Sequence, residues 1–164
     1  MPIIGTEHDL DQLTFTITGE FAAPIERVWQ VYADPRQLER WWGPPTHPAT
    51  VTEHSLEPGG RVRYYMTSPE GEKYHGLWEV VAVEPPRLLE FEDAFADADG
   101  NPQTDLPTGK GRVELTESGD GTRMVSTMTY ASREALQQVL DMGMAEGATA
   151  AGNQIDALLA EDAA

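Results

Sequence analysis

From Leu13 to Phe21 apolar and polar positions alternate. Leu13, Phe15, Ile17 and Phe21 fall on one side, and Thr14, Thr16, Thr18 and Glu20 on the other. A period of two residues predicts a half-buried strand. The period then changes. Pro24 suits the first turn of a helix, where its missing N–H leaves no bond unmade. Ile25, Val28, Trp29 and Tyr32 repeat at helical spacing. Asp34-Pro35 restarts the pattern as N-cap and first helical residue, Leu38, Trp41 and Trp42 supply the apolar stripe, and Gly43-Pro44-Pro45 ends it. Two helices this short cannot bury their own stripes and need a large curved surface to plug.

A meander of strands supplies that surface. Ala49 to Leu56 is followed by the turn Glu57-Pro58-Gly59-Gly60, and Arg61 to Thr67 places Val62, Tyr64 and Met66 opposite Arg61, Arg63 and Tyr65. Beyond the turn Ser68-Pro69-Glu70-Gly71, His75 to Val83 and Leu88 to Phe95 read as strands joined through Glu84-Pro85-Pro86. Ala96 to Gly109 reads as the longest loop, and Gly109-Lys110-Gly111 as a turn. Arg112 to Glu117 and Arg123 to Tyr130 form a last hairpin across Ser118-Gly119-Asp120-Gly121.

The tail follows a different period. Ser132 is a natural N-cap, and Leu136, Leu140, Met144, Ala148, Ala151, Ile155 and Leu158 trace one apolar face, predicting a single long helix to Ala160. The order is one strand, two short helices, six antiparallel strands and one long helix. A curved antiparallel sheet around a long helix, an α+β arrangement of about seven strands, leaves a wedge of space that commonly holds an apolar pocket.

Composition narrows the partners. The 164 residues fit one domain (1–164, core 13–160), with no repeat and no linker. Twenty-eight acidic residues against 11 basic ones give a formal charge of −17. That field repels phosphate backbones and anionic lipid heads, so nucleic acid and membrane surfaces are not expected partners. The absence of cysteine excludes disulfide and thiol chemistry. No basic and apolar leader opens the sequence and no apolar run has membrane-spanning length, so a cytoplasmic location is expected.

Six segments in order resemble a known family: APIERVWQVYADP, LERWWGP, LEPGGRVRYYM with SPEG after it, HGLWEVVAVEPPRLLEFED, and GMAEG followed by IDALLA. The chain resembles the SRPBCC superfamily, with the helix-grip fold of START domains, the birch-pollen allergen and polyketide cyclases. Within it, the chain is similar to stand-alone proteins like the C-terminal domain of the activator of heat-shock-protein-90 ATPase. The resemblance implies a pocket for a hydrophobic or amphipathic small molecule, or a protein partner, and implies no particular reaction. Where such proteins often carry a bulky residue, this helix has Gly143, Gly147, Ala148, Ala150, Ala151 and Gly152. Close packing or a bend is one reading of that run, and an enlarged cavity is the other.

Strand alternation nominates Val62, Tyr64, Met66, Trp78, Val80, Leu89, Phe91, Leu115, Met124 and Met128 as pocket lining. Trp41 and Trp42 would stand at its mouth, with Met142 and Glu146 approaching from the helix. Thioethers fill irregular gaps and indoles add a polar handle, which suits an adaptable site. The polar groups able to do chemistry are Tyr64, His75, Asp93, Arg112 and Glu146. Asp93, flanked by Phe91 and Phe95, would have its pKa raised by desolvation and could serve as a general acid or base, as could His75. Each can equally be an outward-facing residue or an internally satisfied one. The four histidines lack metal spacing, Asp97-Ala98-Asp99-Gly100-Asn101 departs from a calcium loop, and neither metal nor cofactor is expected.

Three functions remain open: a small-molecule binding module, a cyclase- or hydrolase-type enzyme using Asp93, His75 or Glu146, or a chaperone-associated interaction protein. A homodimer through a strand edge or the Trp41-Trp42 region is compatible with each.

Overall fold

The computed structural model describes residues 3–103 and 108–161. The strands are Ile3–Asp9 (β1), Thr14–Phe21 (β2), Ala49–His54 (β3), Arg61–Thr67 (β4), Lys73–Glu84 (β5), Leu88–Ala96 (β6), Gly109–Ser118 (β7) and Gly121–Thr129 (β8). They form one open antiparallel sheet in the order β1-β2-β8-β7-β6-β5-β4-β3. Helices Ile25–Ala33 (α1) and Pro35–Trp41 (α2) lie between β2 and β3 in sequence, and a C-terminal helical stretch follows β8. This is the α+β helix-grip fold. Among the described residues no helix is long and apolar enough to cross a membrane.

β1 precedes the strand read as first, so the sheet has eight strands rather than about seven. Its residues follow no two-residue pattern because only Ile3 of the seven is buried. β7 begins at Gly109, so Gly109-Lys110-Gly111 is strand and not turn. The reason lies across the sheet: Gly111 pairs with Phe91, whose ring occupies the space a Cβ would need, and Met128 and Tyr130 crowd Gly109 in the same way. The loop after β6 accordingly starts at Asp97, and its residues 104–107 lie outside the described residues.

The long C-terminal helix is present, interrupted by two short breaks. It runs as Arg133–Asp141 (α3), Met144–Gly152 (α4) and Ile155–Glu161 (α5). Ser132 caps α3 by accepting from the Ala135 N–H at 3.1 Å. The first break falls at Gly143, which takes φ = +86° while its N–H donates to the Leu140 carbonyl at 3.0 Å. That left-handed conformation is the ordinary helix stop for glycine. The second break, Asn153-Gln154, is tied to neighbours: Asn153 Oδ1 accepts from the Ile3 N–H at 3.1 Å, and Gln154 Nε2 donates to the Gly43 carbonyl at 2.7 Å. The apolar face survives both breaks, with Leu136, Ala151, Ile155 and Leu158 buried.

Asp34 caps α2 through the Arg36 N–H at 2.9 Å. Packing produces two apolar clusters. The larger joins α1, α2 and α5 to β4–β8 around Val28, Leu38, Trp78 and Leu89. The smaller gathers Phe15, Tyr130, Leu136 and Val139 under α3. Ile17 and Met128 border both clusters.

Candidate functional site

A cavity of about 340 Å³ lies between the two clusters, under the α3–α4 junction. Its walls include Tyr32, Tyr64, Phe91, Val113 and Met124 from the side of the larger cluster, and Phe15, Tyr130 and Val139 from the smaller. Of the residues nominated from sequence, Trp41, Trp42, Tyr64, Met66, Phe91, Met124, Met128 and Met142 line it. Met142, 58% exposed, marks the rim.

Trp78, Val80 and Leu115 do not line it, although each faces inward as expected. Trp78 is covered: its ring stacks on Phe91 at 4.2 Å and takes the edge of Trp42 at 4.7 Å. Val80 and Leu115 lie farther along their strands, packed into the larger cluster, as do Val62 and Leu89. Several wall residues were not nominated. Phe15, Ile17 and Tyr130 carry the right strand parity and could have been, whereas Ile3 and Tyr32 give no such signal.

The helix glycines have three separate reasons. Gly143 makes the stop. Gly152 allows close packing, since a Cβ there would lie 2.7 Å from Ile3 Cδ1. Gly147 faces open space, with no atom within 4 Å of its Cβ position, and lines the cavity. Bend, close packing and enlarged volume therefore all occur, at different positions.

One polar pair stands inside. Tyr64 on β4 donates its hydroxyl to Asp93 Oδ1 on β6 at 3.0 Å. The two residues are separated by β5, and the Tyr64 ring crosses it over Gly76, its own partner in the β4–β5 register. Asp93 sits opposite Trp78 on one side and Gly109 on the other. Burial pushes its carboxyl up to about 7, against a smaller lowering by the Tyr64 bond. Burial and the Asp93 charge in turn hold the Tyr64 hydroxyl well above the usual phenol range. Burial raises Tyr130 as well, and its hydroxyl donates to Met144 Sδ at 3.3 Å. The buried Trp42 Nε1 is aimed at the Tyr64 oxygen but falls outside hydrogen-bonding geometry, leaving it without a partner among the described residues.

This architecture can be set beside known proteins. A family model described as Activator of Hsp90 ATPase homolog 1-like protein matches residues 22–160. The chain belongs to this family. Among solved structures it is similar to protein Ms6760 from Mycobacterium smegmatis, with 62% identity, a TM-score of 0.90, and coverage of 96% of this chain and 97% of that one. It is also similar to a protein from Arthrobacter aurescens, with 45% identity, a TM-score of 0.93, and coverage of 97% and 92%. DynU16, from the dynemicin biosynthetic locus, shares the fold at 19% identity and a TM-score of 0.62, over 87% of this chain and 47% of that one. No curated protein matches significantly.

In this member of the Hsp90-activator-like family, the other chemical candidates lie apart from the cavity. His75 has the opposite strand parity to Gly76 and Trp78, and its ring meets Tyr65 at 5.6 Å on the outer face. Glu146 is exposed and does not line the cavity, its Oε2 lying 3.9 Å from the position a Cβ on Gly143 would take. Arg112 is outward, bound to Glu90 at 3.0 Å and Glu114 at 2.7 Å. Asp97 accepts from the N–H groups of Asp99 and Asn101, both at 2.9 Å, so its carboxylate serves a turn. Among the described residues no cluster of metal-ligating side chains occurs.

Proposed function

We propose that this chain binds an apolar or amphipathic small molecule in the cavity between sheet and C-terminal helices, with Asp93 and Tyr64 holding its polar end. The supporting observation is an apolar cavity of about 340 Å³ whose described wall carries one carboxyl, Asp93, held by the Tyr64 hydroxyl. Small-molecule sites have this character: mostly apolar, concave, with few placed polar groups, and volumes upward of roughly 300 Å³. Met66, Met128 and Met142 give the walls adaptability, because unbranched thioethers repack at low cost.

A native mass spectrum of freshly purified protein, compared with its denatured mass, tests this reading. Added mass that leaves on denaturation supports it. A bare mass, together with no change in melting temperature across a panel of lipids and polyketides, counts against it.

A second reading uses the same carboxyl. At a pKa of about 7 Asp93 can take up and return a proton near neutrality, which a cyclase- or hydrolase-type reaction on an apolar substrate requires. Native spectra of Asp93→Asn separate the two. Weaker retention of the same occupant supports binding alone, and an occupant of altered mass supports turnover.

A further inference from the structure

The chemistry of the cavity restricts its occupant further than apolarity does. Its described walls carry one carboxyl, Asp93, and no lysine, arginine or histidine. Among the described residues Tyr64 alone donates a hydrogen bond to that carboxyl, at 3.0 Å on Oδ1, which leaves Oδ2 for a ligand. The groups facing Asp93 can be followed element by element. β4 contributes Tyr64, the residue after β8 is Tyr130, and both are phenols kept neutral by burial. β5 and β7 set Trp78 and Gly109 against it. From the α3–α4 junction the cavity wall takes Met142, Gly143, Met144 and Gly147, none of which titrates, and the nearest titratable group there, Glu146, is exposed beside Gly143.

A negative charge on Asp93 therefore has no cation to balance it. An anionic occupant would add a like charge in an apolar enclosure, after approaching a protein of formal charge −17. A neutral occupant leaves Asp93 either an unbalanced carboxylate or a protonated acid. A cationic occupant removes the problem, and its approach is favoured by the overall field. Tyr64, Phe91 and Trp42 stand in the same wall, and aromatic rings near an ammonium add cation–π attraction.

We propose that the occupant is a protonated amine on an apolar body, its ammonium paired with Asp93 Oδ2. This rests on the cavity-binding reading above and narrows it to one ligand class.

Displacement of the neutral dye Nile red by matched probes tests it: 4-phenylbutylamine, 4-phenylbutanol and 4-phenylbutanoate. Near pH 8 the amine should compete at least about tenfold more strongly than the alcohol, a difference of one decade in Kd, with the acid weakest. The advantage should narrow at pH 5, where the apo carboxyl is protonated, and should vanish in Asp93→Asn. Nile red binding with the alcohol or acid equal to or better than the amine would overturn the amine proposal and leave cavity binding standing. Failure of Nile red to bind, together with failure of all three probes in direct titration calorimetry, would overturn both. The comparison within the wild-type protein stands whether or not the variant folds.

Discussion

The Tyr64 ring lies where a side chain on Gly76 would otherwise stand. A Cβ at Gly76 would come within 2.6 Å of Tyr64 Cε2 and nearer still to Cζ and the hydroxyl. The bare strand position is what lets a residue on β4 reach a carboxyl on β6. Gly76→Ala should displace the ring, break the bond to Asp93 and cost about 1–3 kcal/mol, the usual range for overpacking a tight site. Urea denaturation checks the cost. Tyr64→Phe keeps the ring in place and should cost only about 1 kcal/mol, the net worth of one hydrogen bond. It should also move Asp93 higher still, because the lost bond favoured the charged form.

Asp93 links stability to pH. Burial lifts its carboxyl from 3.8 to about 7, so between those values the folded protein holds a proton that the unfolded chain has released. Folding is then coupled to proton uptake, and this group's contribution falls as pH rises through the window, levelling off above it. About three units of difference correspond to at most about 4 kcal/mol, and water reaching the cavity would reduce that. Asp93→Asn removes the dependence. The stability gap between variant and wild type should widen in favour of the variant from about pH 4 to about pH 7. A gap that stays constant with pH would contradict the placement of this carboxyl.

The helix glycines should respond in opposite ways. Gly147→Ala meets no neighbour and should stabilise α4 by about 0.5–1 kcal/mol through helix propensity. Gly152→Ala gains the same propensity but presses on Ile3 at 2.7 Å, and should be neutral or destabilising. Thermal melts of the two variants side by side decide it.

Much of this could be read along the chain because strands and short helices impose different periods. Alternation placed Tyr64, Met66, Phe91, Met124 and Met128 on the inner face, and the same parity carries Asp93 inward between Phe91 and Phe95. It also excludes His75, which cannot share a face with Trp78. Three features escaped for physical reasons. β1 buries a single residue, so it leaves no periodic trace. The bend read from the glycine run could not be placed at Gly143, because its position depends on a backbone dihedral and the apolar face it interrupts continues beyond it. The Tyr64–Asp93 pair depends on which residue lies between them across the sheet, and register is invisible in a linear pattern. The split between core and cavity is equally non-local: Trp78 is covered only because Trp42 and Phe91 close over it.

The central claim is that the cavity receives an apolar or amphipathic small molecule. Nile red titrations of the wild type and of Gly147→Phe, which directs a ring into that volume without meeting a neighbour at Cβ, test it most directly. The expected result is saturable binding to one site in the wild type and at least about a tenfold loss in the variant, with circular dichroism unchanged. Equal binding by the two folded proteins, or no saturable binding by the wild type, would contradict it.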